Sequence, residues 1–328
     1  MLKSPFSELG RSKSWKRVLL DSATLWLAIN LNRRQLRVVF GEAWGTYHAY
    51  MKSKKLKPVV EETGADGRLL WIGPKRTERV ILYIHGGAFL FGPLESGPIL
   101  WGYIQDNLQE RGKPTGVAFL NYSLVPDAIF PTQLKQAVLA IQHLIVSGAA
   151  PENIQLTGDS AGGLIIHQIF SHILHPVDGV PKLKLSAPLG GAYMMAPWAT
   201  TVDDEVYHTN DNAGDVVTAS VLLYWASKMY EGVPRSAMPY LNPNGAPDDW
   251  LRGIDKVVNR VLISAGGAEV LRDAVIKYFK TIEKHHKNTT FFLQDKGAHV
   301  ETFLLLLVRD EDTKFAPFLL DWLEQGFS

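Results

Sequence analysis

The sequence contains no cysteine. That excludes disulfides, thiolate metal ligands and a cysteine nucleophile, and it points to a cytoplasmic setting. Net charge is also scarce: 34 Lys and Arg against 33 Asp and Glu leave +1. A chain so balanced offers no electrostatic basis for binding nucleic acid or another acidic polymer. The ten histidines never fall at H-E-x-x-H or a similar ligand spacing, so neither a metal nor another cofactor is expected. Long apolar runs are missing too. The N-terminal candidate, Val18 to Leu31, contains Asp21 and lacks a small-x-small cleavage site. It is shorter than the roughly 20 residues a spanning helix needs. It reads as an amphipathic helix packed on the protein, ahead of membrane-surface contact or a cleaved signal. No internal repeat is present.

What the sequence does have centres on Leu156-Thr157-Gly158-Asp159-Ser160-Ala161-Gly162-Gly163. This is Gly-x-Ser-x-Gly, preceded by a short apolar run (Asn153 to Leu156) and followed by Leu164 to Phe170, which suits a buried helix. A strand, a tight turn carrying a serine, then a helix is the context that gives the motif chemical meaning. An ordinary Gly-rich turn is the bland alternative. Glycines flanking the serine permit a sharp reversal that projects its hydroxyl clear of a sheet. The helix that follows aims its free N–H groups at the place where an oxyanion would form.

Along the chain, residues 1–16 are polar, with Lys3, Arg11, Lys13 and Lys16. After the apolar helix, Asn32 to Lys55 reads as a second helix ending in a basic, solvated cluster of Lys52, Lys54, Lys55 and Lys57. Val59 to Ile72 reads as strands around a Gly64–Gly67 turn. Buried-strand runs follow at Arg79–Ile84, Gly116–Asn121, Gly190–Ala196, Arg260–Ser264 and Thr290–Gln294. Helical spacing places Leu134, Ala137, Val138, Ile141 and Leu144 on one face, and Ala274, Val275, Tyr278, Phe279 and Ile282 on another. Phe315 to Leu323 reads as a closing helix. Strands alternating with helices predict an α/β fold with a mostly parallel sheet covered on both faces. The alternation breaks after Pro197-Trp198. The following stretch carries an acidic run at Asp203–Glu205, a helix around Ala219–Tyr230 and a Pro/Asn/Gly-rich loop at Pro239–Pro247. It reads as an insertion over the sheet.

A serine hydroxyl is a poor nucleophile until an adjacent base activates it, and the base needs an orienting acid. Here the partners follow in the order acid, then histidine. Glu269 lies just past the Arg260–Ser264 strand, and His299 just past the last strand. Both therefore fall at carboxyl ends of strands, where such sheets place ligand sites. Asp273 competes with Glu269 for the acid role, but a helix N-terminus already gives it a structural reason to be there. His85-Gly86-Gly87 supplies a backbone that can approach substrate closely. The expected oxyanion donors are the amides of Gly86, Gly87 and Ala161. His85 reads as an orienting residue of that loop rather than a base, and Asp159 as structural. Phe89, Phe91 and Trp198 are candidate substrate contacts, while Trp225 is balanced between pocket and core.

These residues in combination resemble the hormone-sensitive-lipase-like esterases, the alpha/beta hydrolase fold-3 group. The resemblance rests on His85-Gly86-Gly87 with Gly92, Gly158-Asp159-Ser160-Ala161-Gly162-Gly163, Tyr122 with Pro126 and Phe130-Pro131, Pro197-Trp198, Leu271-Arg272-Asp273 and Gly297-Ala298-His299. It covers roughly residues 75 to 325. It implies an α/β-hydrolase fold with a helical cap. On that pattern 1–55 are N-terminal cap helices, 56–198 the first part of the core, 199–252 the inserted cap segment and 253–328 the rest of the core. The implied activity is cleavage of small-molecule esters, thioesters or lactones of apolar compounds by a Ser160–His299–Glu269 triad. The same acyl-enzyme could instead pass its acyl group to an alcohol or amine, or open or close a lactone. The family's acid is usually Asp followed by Pro; here Glu269-Val270 stands there, and glutamate serves this role in related hydrolases. Plant gibberellin receptors resemble this family yet bind without turnover, having lost the histidine; this chain has His299.

Overall fold

In the computed structural model, residue 10 and residues 12–211, 213–312 and 314–327 are described. Lys3 and Arg11 of the expected polar leader lie outside them. The core is an eight-stranded sheet in the order β1-β2-β4-β3-β5-β6-β7-β8. Its strands are β1 (Val59–Gly64), β2 (Gly67–Ile72), β3 (Val80–Ile84), β4 (Gly116–Asn121), β5 (Ile154–Asp159), β6 (Gly191–Met195), β7 (Val261–Gly266) and β8 (Thr289–Gln294). The strands from β3 onward pair in parallel, while β1 and β2 form an antiparallel hairpin added to β4. Every residue of β3, β5, β6 and β7 is buried. This is why those strands read as continuous apolar runs and not as alternation.

Helices cover both faces: α4 (Ser96–Glu110), α5 (Thr132–Val146), α6 (Ala161–Leu174), α8 (Arg272–His285), α9 (Glu301–Val308) and α10 (Phe315–Gln325). Ahead of the sheet stand α1 (Trp15–Asn30), α2 (Arg33–Phe40) and α3 (Ala43–Ser53); between β6 and β7 stands α7 (Ala219–Met229). The single helix expected over Asn32–Lys55 is two. Gly41 at φ 68° ends α2 in a backbone conformation suited to glycine. The Gly41 carbonyl then accepts from the Gly92 amide at 2.8 Å, joining the N-terminal helices to the loop after β3. Helices α4 and α9 were not expected. Among the described residues no helix is long and apolar enough to cross a membrane.

The N-terminal helix is fixed by charge. Arg17, fully buried, bonds Asp21 at 2.6 Å and both oxygens of Glu301 at 2.5 and 2.6 Å. A bidentate guanidinium–carboxylate pair gives orientation as well as energy. Ser14 caps α1 by accepting from the Arg17 amide and also donates to Asp310 at 2.7 Å.

Candidate active site

Ser160 sits between β5 and α6 at φ 49°, ψ −115°, a conformation rare for a residue with a side chain. The strain persists because neighbours over-determine it. The Ser160 amide donates to the Met195 carbonyl at 2.9 Å, and its own carbonyl accepts from Trp198 at 3.0 Å. Gly162 makes the turn possible: a Cβ there would lie 1.9 Å from the Ile84 carbonyl oxygen. The axis of α6 therefore starts at the serine, with its positive end toward the hydroxyl.

His299 is carried by the loop after β8 and Glu269 by the loop after β7. Both are buried, and Glu269 Oε2 lies 3.3 Å from His299 Nδ1. A third carboxylate completes the group. Asp215, buried in the segment between β6 and β7, accepts from the His299 amide at 2.7 Å and from the Val216 amide at 2.7 Å with Oδ1. Its Oδ2 accepts from the Val270 amide at 2.8 Å. One side chain thus ties the histidine loop to the acid loop. Glu301 holds the same loop from the other side by accepting from the Ala298 amide at 2.7 Å.

Burial pushes the Glu269 carboxyl up to about 7, against the His299 bond that favours its charged form. Burial alone would lower His299. The Glu269 hydrogen bond and charge outweigh it, with Asp215 and Asp159 adding, and the imidazole is raised above its ordinary 6.5. Burial likewise raises Asp215, and takes Asp159 to about 6 although Tyr83 and the Gly86 amide both donate to it.

The His85-Gly86-Gly87 loop approaches from β3. His85 stacks on Tyr122 at 4.3 Å, its Nδ1 lies 2.7 Å from the Gly86 carbonyl, and burial lowers it to about 4. It is thus a neutral group holding the loop. One expected oxyanion donor is engaged elsewhere: the Gly86 amide donates to Asp159 Oδ1 at 2.9 Å. Gly87 and Ala161 remain of the expected set. Gly87 adopts φ 97°, and a Cβ there would meet the Phe91 carbonyl at 2.2 Å.

Ser160, His299, Gly86 and Gly87 line one cavity of about 80 Å³. Its other walls include Thr24 and Ala28 of α1, Leu36 and Phe40 of α2, and Val216, Val217 and Trp225 of the segment between β6 and β7. Phe91 lines it, stacking on Phe40 at 4.9 Å and meeting Trp225 edge-on at 5.6 Å. Phe89 and Trp198, expected as substrate contacts, are not among the residues lining this cavity. Phe89 turns inward against Tyr122, and Trp198 is fully buried with Nε1 donating to the Tyr207 hydroxyl at 3.1 Å. Asp273 pairs with Arg272 at 2.8 Å and is partly exposed in the first turn of α8. The sequence analysis missed Asp215 and Glu301. Asp215 lies in an insertion without periodicity, and the one available signal for Glu301 was its place two residues past His299.

Residues 81–303 match the family model described as alpha/beta hydrolase fold. An acetyl-hydrolase of Streptomyces hygroscopicus is 26% identical over 204 residues, 62% of this chain and 62% of that protein. The hormone-sensitive lipase of Homo sapiens is 33% identical over 118 residues, 34% of this chain and 10% of the lipase. The chain thus spans under two thirds of these relatives' length. Among solved structures, an esterase from the bacterial hormone-sensitive lipase family superposes with a TM-score of 0.73 at 21% identity. That superposition covers 96% of this chain and 99% of that one. With its eight-stranded, mostly parallel sheet flanked by helices, the chain belongs to the alpha/beta hydrolase fold family.

Proposed function

We propose that the chain is a carboxylic ester hydrolase that works through an acyl-enzyme. One observation carries this reading: Ser160 and His299 line the same cavity, and Glu269 lies 3.3 Å from the imidazole nitrogen Nδ1. Neutral His299 takes the Ser160 proton as the hydroxyl oxygen attacks the ester carbonyl. The amides of Gly87 and Ala161 hold the resulting oxyanion. Imidazolium then returns the proton to the leaving alcohol. Water, activated by the same histidine, cleaves the acyl–serine bond. Glu269 orients the ring and stabilises its charged form. Residues 1–55 and 199–252 act as a cap over a core of 56–198 and 253–328. Esters are the first choice among esters, thioesters and lactones, because the relatives carry the names acetyl-hydrolase, lipase and esterase. The cavity of about 80 Å³ is small beside the roughly 300–1,000 Å³ of ordinary small-molecule sites, and favours a short acyl chain.

The test is hydrolysis of p-nitrophenyl esters of graded acyl length across pH. Acetate and butyrate should turn over fastest. Catalysis needs neutral His299, and its acid–base midpoint is raised above 6.5. The kcat/KM should therefore fall as pH drops through a midpoint above 6.5 and be fullest on the alkaline side. No turnover of any ester, together with no fluorophosphonate labelling, would reject the reading.

Asp215 acts here as a positioning residue. In Asp215→Asn one acceptor oxygen becomes a donor facing a backbone N–H, and a negative charge near His299 is lost. Charge-assisted bonds of about 1.5–3 kcal/mol correspond to roughly 10- to 100-fold, so kcat should drop by that much with KM nearly unchanged. The acid limb should also move to lower pH, because Asp215 is one of the charges raising His299. An unmoved limb would assign Asp215 to stability alone.

A further inference from the structure

Helix α1 is built inside out. Its ionic residues Arg17 and Asp21 are each 1% exposed, while Trp15, Leu19, Trp26 and Ile29 are 70, 52, 55 and 55% exposed. Those four fall at i, i+4, i+11 and i+14, one stripe along the helix, and the exposed face carries no acidic residue. On α2, Val38 is 85% exposed. Of the thirteen large apolar side chains exposed among the described residues, eight lie between 15 and 56, four of them on the α1 stripe. Scattered exposure of single apolar residues is ordinary; a contiguous stripe with two tryptophans is not.

Charge identifies what covers it. Residues 1–57 hold twelve Lys and Arg against three Asp and Glu, a net +9, in a chain whose total is +1. Lys16, Arg34, Lys52, Lys54, Lys55 and Lys57 are exposed. A second copy of the chain on this face would bring two such segments together and repel. An anionic lipid surface attracts them, at a cationic segment's ordinary affinity for acidic headgroups. Tryptophan suits the headgroup boundary, with an apolar body and one N–H. At 16 residues α1 measures about 24 Å, short of the roughly 30 Å hydrocarbon core, so it lies in the plane and does not span.

We propose that α1 and α2 are a docking surface for an anionic phospholipid bilayer. The inward sides of these two helices supply Thr24, Ala28, Leu36 and Phe40 to the Ser160 cavity. If the ester-hydrolase reading holds, docking sets the cavity wall against the lipid, where an apolar ester is concentrated.

The full chain is pelleted with vesicles of phosphatidylcholine alone or with roughly one third phosphatidylserine. Binding to the anionic vesicles is expected, weakening as salt rises. The Trp15→Ser/Trp26→Ser double variant should bind at least about tenfold more weakly, while its hydrolysis of p-nitrophenyl acetate in solution stays within about twofold. Should that variant fold poorly by thermal melt, Lys16→Glu/Arg34→Glu provides the same comparison through charge. Equal behaviour with neutral and anionic vesicles, or variants that bind like the parent, overturns the proposal. So does a dimer in solution that these variants dissolve while vesicles bind nothing. Vesicle binding without ester turnover counts against the hydrolase reading and leaves this surface standing.

Discussion

Purified Ser160→Ala is expected to lose about 10⁶-fold in kcat on p-nitrophenyl esters, the scale seen when a serine protease loses a triad member. Its melting temperature should be close to the parent's. The two outcomes separate because different atoms carry them. The backbone bonds that hold position 160 run from its amide to Met195 and from Leu164 and Trp198 to its carbonyl. None uses the hydroxyl. Alanine also tolerates the φ of 49° about as well as serine, so no new strain enters. What vanishes is the one oxygen able to form the acyl bond. Residual turnover of some 10³–10⁴ over water can persist through the oxyanion donors. Parent-like rates in this variant would mean that Ser160 is not the nucleophile and that the triad reading fails.

Which parts of this site could be read from sequence follows from how each is encoded. The Ser160 turn was legible because glycines at fixed offsets are sterically required between an apolar strand and an apolar helix. Glu269 and His299 were legible as loop residues after buried strands, since the sheet pattern itself locates carboxyl ends. Direction within a loop was not. Ala88 and Phe89 take positive φ, so no periodic rule says which of Phe89 and Phe91 faces the cavity. The capture of the Gly86 amide by Asp159 depends on two strands meeting, which neither segment announces. Helix α4 contains Gly97, Pro98 and Gly102, breakers that hide its periodicity. Helix α9, Glu-Thr-Phe-Leu-Leu-Leu-Leu-Val, is too short, and unbrokenly apolar after its first two residues, to show a 3.6-residue period. Asp215 is the most telling omission. Its role comes from accepting, besides the neighbouring Val216 amide, two backbone amides 55 and 84 residues away, and side chain–backbone contacts leave no pattern in residue types.

Glu269→Gln should lower kcat by about 10⁴, roughly 5 kcal/mol, while KM changes little. Glutamine keeps the volume of a fully buried side chain, so packing is preserved and the loss is electrical. The amide nitrogen can take the place of Oε2 opposite His299 Nδ1, favouring the tautomer that leaves the wrong nitrogen protonated. Either rotamer removes the charge that stabilises imidazolium as it forms. A second signature accompanies the rate. Burial lowers His299 and the Glu269 bond is the largest influence raising it, so the acid limb of kcat/KM should move to lower pH in the variant. Asp273→Asn supplies the contrast. Asp273 pairs with Arg272 in the first turn of α8, where a carboxylate contributes about 0.3–1 kcal/mol to the helix. Its replacement should leave kcat/KM within about tenfold and the limb in place. The reverse pattern, a collapse in Asp273→Asn with Glu269→Gln active, would move the acid four residues on, into the first turn of α8, and detach Glu269 from the chemistry.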